Sequence, residues 1–224
     1  TGSETSAVQA GSGGVDVSAW SQELVSSETG CAGTNALGAA GAVSAVEALT
    51  ETRAYISNVQ LTTSGSLTVA ATRIADVGAK AGALNVSLLA GAGGAVDFVT
   101  IAGATEAYLS STITDVTGDT SIRATSHALI AGRSGTVGAG GIAAVVGAAS
   151  VHLIETVTHA YVSCGDLPCR LNETARPGQN VTIQAVDRAE IDSSAGSVAG
   201  SLLAGVGGSI DVDVIRSSAV AEIG

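Results

Sequence analysis

The chain has 224 residues, 46% of them hydrophobic, yet only 2% are aromatic, and it carries 30 glycines and no methionine. This composition excludes a disordered chain and predicts a narrow core of Ala, Val, Leu and Ile rather than one built around large rings. Nine Lys and Arg against twenty Asp and Glu give a net charge of -11, which repels phosphate backbones and anionic membranes and excludes nucleic acid as a partner.

From the N-terminus onward one pattern returns four times, at Gly13-Gly-Val-Asp-Val-Ser-Ala19, Gly65-Ser-Leu-Thr-Val-Ala-Ala71, Gly118-Asp-Thr-Ser-Ile-Arg-Ala124 and Asn180-Val-Thr-Ile-Gln-Ala185. Its marker positions Val17, Val69, Ile122 and Ile183 are 52, 53 and 61 residues apart, periods that belong to solenoids and arrays. Further columns fall at the same phase: Ala54-Tyr55, Ala107-Tyr108, Ala160-Tyr161 and Ala221-Glu222, then Gly41, Gly94, Gly147 and Gly208, then Gly30, Gly82, Gly135 and Gly196. Recurrent glycines predict a turn, a positive φ or a close approach at one point of every repeat. The chain therefore reads as one domain, 1–224, with repeats at about 1–50, 51–103, 104–157 and 158–224, the last enlarged by an inserted loop, 164–177.

Within a repeat, Gly65 to Thr72 resembles Gly94 to Ile101, so each repeat is expected to hold two related halves. Apolar and polar residues alternate in both: Leu67 and Val69 around Thr68, Val96 and Phe98 around Asp97, Ile210 and Val212 around Asp211. Such alternation with β-branched enrichment predicts strands that bury the apolar face and turn Thr, Ser and Asp to water. Helices fit poorly, because runs such as Ala139 to Ala149 carry a glycine every few residues, each costing about 1 kcal/mol relative to Ala. The hairpin dipeptides Asn-Gly and Asp-Gly of an antiparallel sandwich are absent. An all-β fold is expected: a parallel β-solenoid (β-helix) with about two coils per repeat, forming a rod about 38 Å long at about 4.8 Å per coil. The uncharged segment Gly135 to Val151 is rich in glycine and sits at the phase of segments containing Asp97 and Asp211, so no membrane insertion is expected.

The run Val59-Gln-Leu-Thr-Thr-Ser-Gly-Ser-Leu-Thr-Val-Ala-Ala-Thr72, followed by a Gly/Ala-rich strand and a return to Thr105-Glu-Ala-Tyr-Leu-Ser110, resembles the repeat regions of filamentous-haemagglutinin and leukotoxin-like adhesins. That resemblance covers nearly the whole chain and implies a secreted, surface-exposed β-helical rod used for adhesion or structure. The chain departs from it in its short length and in the insertion at Cys164 to Cys169.

Candidate chemistry is sparse. Cys164 and Cys169 are spaced to close a small loop as a disulfide, which implies an oxidising compartment, while Cys31 reads as a buried small hydrophobe or else a thiol available to a second chain. His152 and Glu155 point to opposite faces of a strand, so they make no metal cluster with His159, and His127 falls in a solvated turn. Asp211 and Asp213 read as a solvated face able to hold a cation only loosely. No serine lies in a nucleophile elbow, and Gly91-Ala-Gly-Gly94 and Gly205-Val-Gly-Gly208 lack the ending of a phosphate loop. No catalytic residue, cofactor or metal is expected, and the chain is read as a non-enzyme. The sequons at Asn172 and Asn180 are candidate glycan acceptors, and that at Asn85, in an apolar stretch, is the weakest of the three.

Two functions follow from this reading. In the first, an extracellular or cell-surface structural and adhesive protein associates head to tail into a filament, through Thr1 and Ser3 at one end and Glu222, Ile223 and Gly224 at the other, or is itself a segment of a longer rod. In the second, a module binds a surface glycan or host receptor through Asp166, Leu167, Arg170 and Asn172 of the inserted loop.

Overall fold

The computed structural model describes residues 6–164, 170–172 and 176–224. Among them there is no helix. The strands are β1 (Ser6–Ala10), β2 (Val15–Ser57), β3 (Val59–Thr63), β4 (Leu67–Ser110), β5 (Ile113–Val116), β6 (Thr120–Gly140), β7 (Ala143–Ser163), β8 (Arg170–Leu171), β9 (Val181–Ser201) and β10 (Ala204–Ile223). Run straight, the 44 residues of β4 would span about 145 Å. Instead β4 doubles back: Arg73 donates to the Ala102 carbonyl at 3.0 Å, and Asn85 donates to the Ala92 carbonyl at 2.5 Å. β2 doubles back likewise, with Ser44 donating to Ser27 at 3.0 Å. In the third and fourth rows the outward and return arms are separate strands, β6 with β7 and β9 with β10.

All pairing is parallel. Val15 pairs with Leu67, Leu67 with Thr120 and Thr120 with Val181; on the return arm Leu37 pairs with Ala90, Ala90 with Ala143 and Ala143 with Ala204. β1, β3, β5 and β8 form a second, short parallel sheet at the wide end, where the chain passes from one row to the next. Each ladder step is a whole repeat, 52 or 53 residues and then 61, so two coils within a repeat is corrected to one passage per repeat. The two similar halves do not stack on each other; they face each other across the core. The 38 Å rod becomes a slab of four rows, about 14 Å from first to last, with arms about 70 Å long.

The interior tapers. At the wide end Leu61, Leu67, Val69, Leu109, Val116 and Ile122 are packed together with Ala71 and Ala124. Midway the cluster is Val77, Val99, Ile101, Ile130 and Ile154. Near the tight turns the cluster is of alanines, Ala40, Ala42, Ala81, Ala83 and Ala95, with Val146, Asn85 and Ser87 also buried. The small-residue composition thus reflects two sheets that converge. Leu67 and Val69 point inward and are fully buried, as the alternation predicts. On the return arm that assignment is reversed: Asp97 is buried while Val96 and Phe98 lie on the outside. The physical reason is a polar partner inside, His152, described below.

The glycine columns also differ from expectation. Gly94, Gly135, Gly196 and Gly208 lie within strands, and a Cβ there would meet nothing within 4 Å. They pave shallow outer grooves, one of about 500 Å³ crossing Gly94, Gly147 and Gly208. Glycine is required instead where the backbone is approached closely, at Gly65, whose Cβ would strike the Gly14 backbone, and at Gly132, whose Cβ would occupy the His152 ring.

The first and last rows are paired on one side only: β2 with β4, β9 with β6, and β10 with β7. Their exposure raises the accessible surface to 11124 Å², against roughly 9,200 Å² for a compact protein of this mass. Interior rows carry the stability. Ile130→Ala, in the middle of the core, is expected to cost about 2–5 kcal/mol, and Leu88→Ala at an exposed turn less than about 0.5 kcal/mol. Chemical denaturation of the two variants checks the contrast.

Candidate functional site

Two polar layers interrupt the apolar interior. The first lies between the wide-end and middle clusters, around Arg73, which is 1% exposed and stands 3.9 Å from Glu23. Burial, the largest influence, holds the Arg73 pKa below its usual value against the opposing charges of Glu23 and Asp187. In the last row Asp187 accepts hydrogen bonds from Thr156 at 2.9 Å and Thr158 at 3.1 Å.

The second layer, between the middle cluster and the alanine cluster, centres on His152 of β7. The ring is fully buried in the space left by Gly132. Its Nε2 stands 3.1 Å from Asp97 Oδ2, one row below, and its Nδ1 stands 2.8 Å from Asp213 Oδ1, one row above. Asp97 is also fully buried, whereas the Asp213 side chain is 38% exposed. Donating to two carboxylates requires a hydrogen on both nitrogens, the imidazolium form. Burial is the largest single influence and disfavours that charge. The hydrogen bonds and charges of Asp97 and Asp213 together outweigh it, and the His152 pKa is raised above its ordinary value. Ser193, from the facing arm, donates to Asp211 at 2.7 Å and to Asp213 at 2.6 Å. The side chain therefore ties three rows together.

His152, Asp211 and Asp213 bring one ligand atom each to within 4.8 Å of one another. A cation here would have to take Nδ1 from Asp213, and the nitrogens are committed to a carboxylate on each side, so the constellation reads as a hydrogen-bonded clamp. Sequence reasoning separated His152 from Glu155 correctly, since Glu155 points outward. It missed Asp97 and Asp213, which are 55 and 61 positions from His152 and meet it only through the ladder. Asp211 and Asp213, read as a solvated face, are exposed and also contribute carboxylates to this layer. His127, placed in a turn by the sequence, lies within β6 on its outer side.

On the outer surface the Ala-Tyr column forms a ladder of stacked rings, Tyr55 on Tyr108 at 5.0 Å and Tyr108 on Tyr161 at 4.7 Å. Beside it Arg53 Nε donates to Glu106 at 2.8 Å, and His159 Nε2 lies 3.0 Å from Glu222.

Of the other sequence candidates, Cys164 is disulfide-bonded, and the expected partner Cys169 lies outside the described residues, as do Asp166, Leu167, Thr1 and Ser3. Cys31 is free and exposed rather than buried, in a first row that pairs with β4 on one edge only. Arg170 is exposed, and Asn172 adopts a φ of 54° while its Oδ1 accepts the Val116 N–H at 3.2 Å. The Asn172 Nδ2 is buried, so a glycan there would require the side chain to leave this position. Asn180 is exposed and donates to Asp119 at 3.1 Å. Asn85 is fully buried and donates to the Gly38 and Ala92 carbonyls, which leaves no access for a glycan. Glu222, Ile223 and Gly224 end the last row, with the Gly224 N–H donating to the Val162 carbonyl. No helix is long and apolar enough to cross a membrane among the described residues. No family model, no curated protein and no solved structure matches the chain.

A raised folded-state pKa stabilises the protein below the unfolded value of about 6.5, and that contribution disappears as pH rises through the folded-state value. Denaturation midpoints are therefore expected to fall on going from about pH 6 to about pH 9, with a flatter profile in His152→Gln. Asp97→Ala, which strips a buried charge of one partner, is expected to cost about 3–5 kcal/mol. An identical pH profile in wild type and His152→Gln would exclude the clamp as its source.

Proposed function

We propose that the chain is an extracellular structural and adhesive repeat protein, a β-solenoid of four repeats with one turn per repeat, that stacks end to end into a filament. The observation that carries this reading is the one-sided pairing of the first and last rows along both arms. Edge strands left open in this way are templates for further strands, and proteins that stay apart cover or charge them. Here the row-end side chains are those of an interior layer: Val15, Val17 and Val25 in the first row, Val181, Ile183 and Ile191 in the last. The surface in excess of a compact protein, about 1,900 Å², is comparable to the roughly 1,600 Å² of a stable interface.

The disulfide at Cys164 supports an oxidising, extracellular location. A non-catalytic role accords with the interior position of His152, which has both nitrogens engaged and no exposure through which to meet a substrate. The resemblance to filamentous adhesin repeats points the same way, to a surface rod.

With -11 on every copy, stacking is opposed by long-range repulsion. Raising ionic strength from about 0.01 M to about 0.15 M shortens the screening length from about 30 Å to about 8 Å and is expected to drive assembly. Sedimentation velocity should show a salt-dependent rise in size, and electron microscopy should show rods of uniform width. Monomers alone at every salt and protein concentration would refute the reading.

A further inference from the structure

The open edges specify more than association, because the ladder register fixes what each column would meet. We propose that a second copy of the 224-residue chain docks with one polarity and one register: its β2 row lies parallel on the β9/β10 row of the first, Val15 opposite Val181 and Ile56 opposite Ile223. This rests on the end-to-end reading above.

Three observations select this joint. The first is size matching. Along the first arm the joint would set Val181 on Val15, Ile183 on Val17, Ala185 on Ala19 and Ile191 on Val25, pairs of the same kind that already meet between β2 and β4, where Val15 lies on Leu67 and Val25 on Val77. The turn would also tolerate it. The first row has one residue between Asn35 and Leu37 where its neighbour has two, and the ladder already absorbs that difference by a local register shift.

The second is the polar layer. Reading up one inward column gives Ser44, Asp97, Ser150 and Asp211. Serine and aspartate alternate, and a joint of this polarity continues the alternation by placing Ser44 of the incoming copy over Asp211. The Ser27–Ser44 hydroxyl pair would then cover the Ser193–Asp211 pair. The alternative of two last rows meeting face to face requires a two-fold axis and antiparallel pairing, whereas every ladder among the described residues is parallel.

The third is the outer charge ladder. Arg53, Glu106 and His159 occupy one outer column whose fourth member is Val220, and Glu222, in the neighbouring tyrosine column, is held by His159. In the proposed joint the exposed face of Tyr55 comes to lie over Glu222, with Arg53 two residues along the same face. Arg53 of the incoming copy, over Val220, is then the charged group nearest Glu222 in register, and it is of opposite sign.

The chain carries its own reporter. Cys31 is free and exposed on the inward side of the first row, in the column of Ala83, Thr136 and Ser197. The joint sets Ser197 of one copy directly beside Cys31 of the next, at a strand spacing of about 4.8 Å, inside the range of about 4.4–6.8 Å between Cα atoms that a disulfide spans. Ser197→Cys under mild oxidation of the assembled protein should give a covalent series of dimers, trimers and higher species on non-reducing gels. Ser201→Cys, about 13 Å further along the strand, should give none. Glu222→Lys, with wild-type Cys31, should lower the assembled fraction several-fold at fixed protein concentration. Rods that form but are not linked through Ser197→Cys, or are linked as well through Ser201→Cys, overturn the register and leave the end-to-end reading standing. Absence of rods in wild type, seen by sedimentation before any oxidation, overturns both.

Discussion

Everything in this molecule depends on a parallel ladder that advances by one whole repeat at each step. Because the step is constant along both arms, a residue meets the residue at its own phase in the next repeat, and chemistry is set column by column rather than pair by pair. A column of alanine near the tight turns (Ala42, Ala95, Ala148) keeps the arms close, and a column of β-branched residues at the wide end (Val17, Val69, Ile122, Ile183) fills the space where they diverge. The hydrogen bonds between rows make the stack; the columns decide its cross-section.

Against this background the two polar layers are departures that hold the rows in order. An all-aliphatic stack would be indifferent to which layer lies on which, since every step would bury similar area. Arg73 with Glu23, and His152 between Asp97 and Asp213, make single rows distinguishable, because each needs its partner one row away. Charged groups in a core contribute little net stability but penalise their own separation heavily. In a repeat protein that penalty falls on slipped stacking.

The repeat, its phase and its strand character were legible in the sequence, because columns such as Ala54-Tyr55, Ala107-Tyr108 and Ala160-Tyr161 recur at the ladder step itself. The number of turns per repeat was not. The two halves resemble each other, and local alternation is the same whether they stack or face each other, so periodicity alone could not separate half-unit from whole-unit winding. The inside-out assignment of Asp97 failed for a related reason. Alternation gives two faces without saying which is inward, and hydrophobicity misleads where Val96 and Phe98 lie on the exterior. The His152 clamp was out of reach because its partners are brought together by rows that the sequence presents as distant segments. Its one indirect signal was the column of Ser44, Asp97, Ser150 and Asp211, where acidic residues recur at every second repeat.

The longer final step also has a consequence. The eight extra residues between the third and fourth rows leave both long arms in register, Thr120 with Val181 and Ala143 with Ala204, so all the added length is taken up at the wide corner. The chain leaves the long ladders there and at the tight turn, and changes of length at either place do not propagate. The slab thus has a conservative body and permissive margins, where loops of unrelated length could be carried side by side at intervals of about 4.8 Å without disturbing what lies beneath.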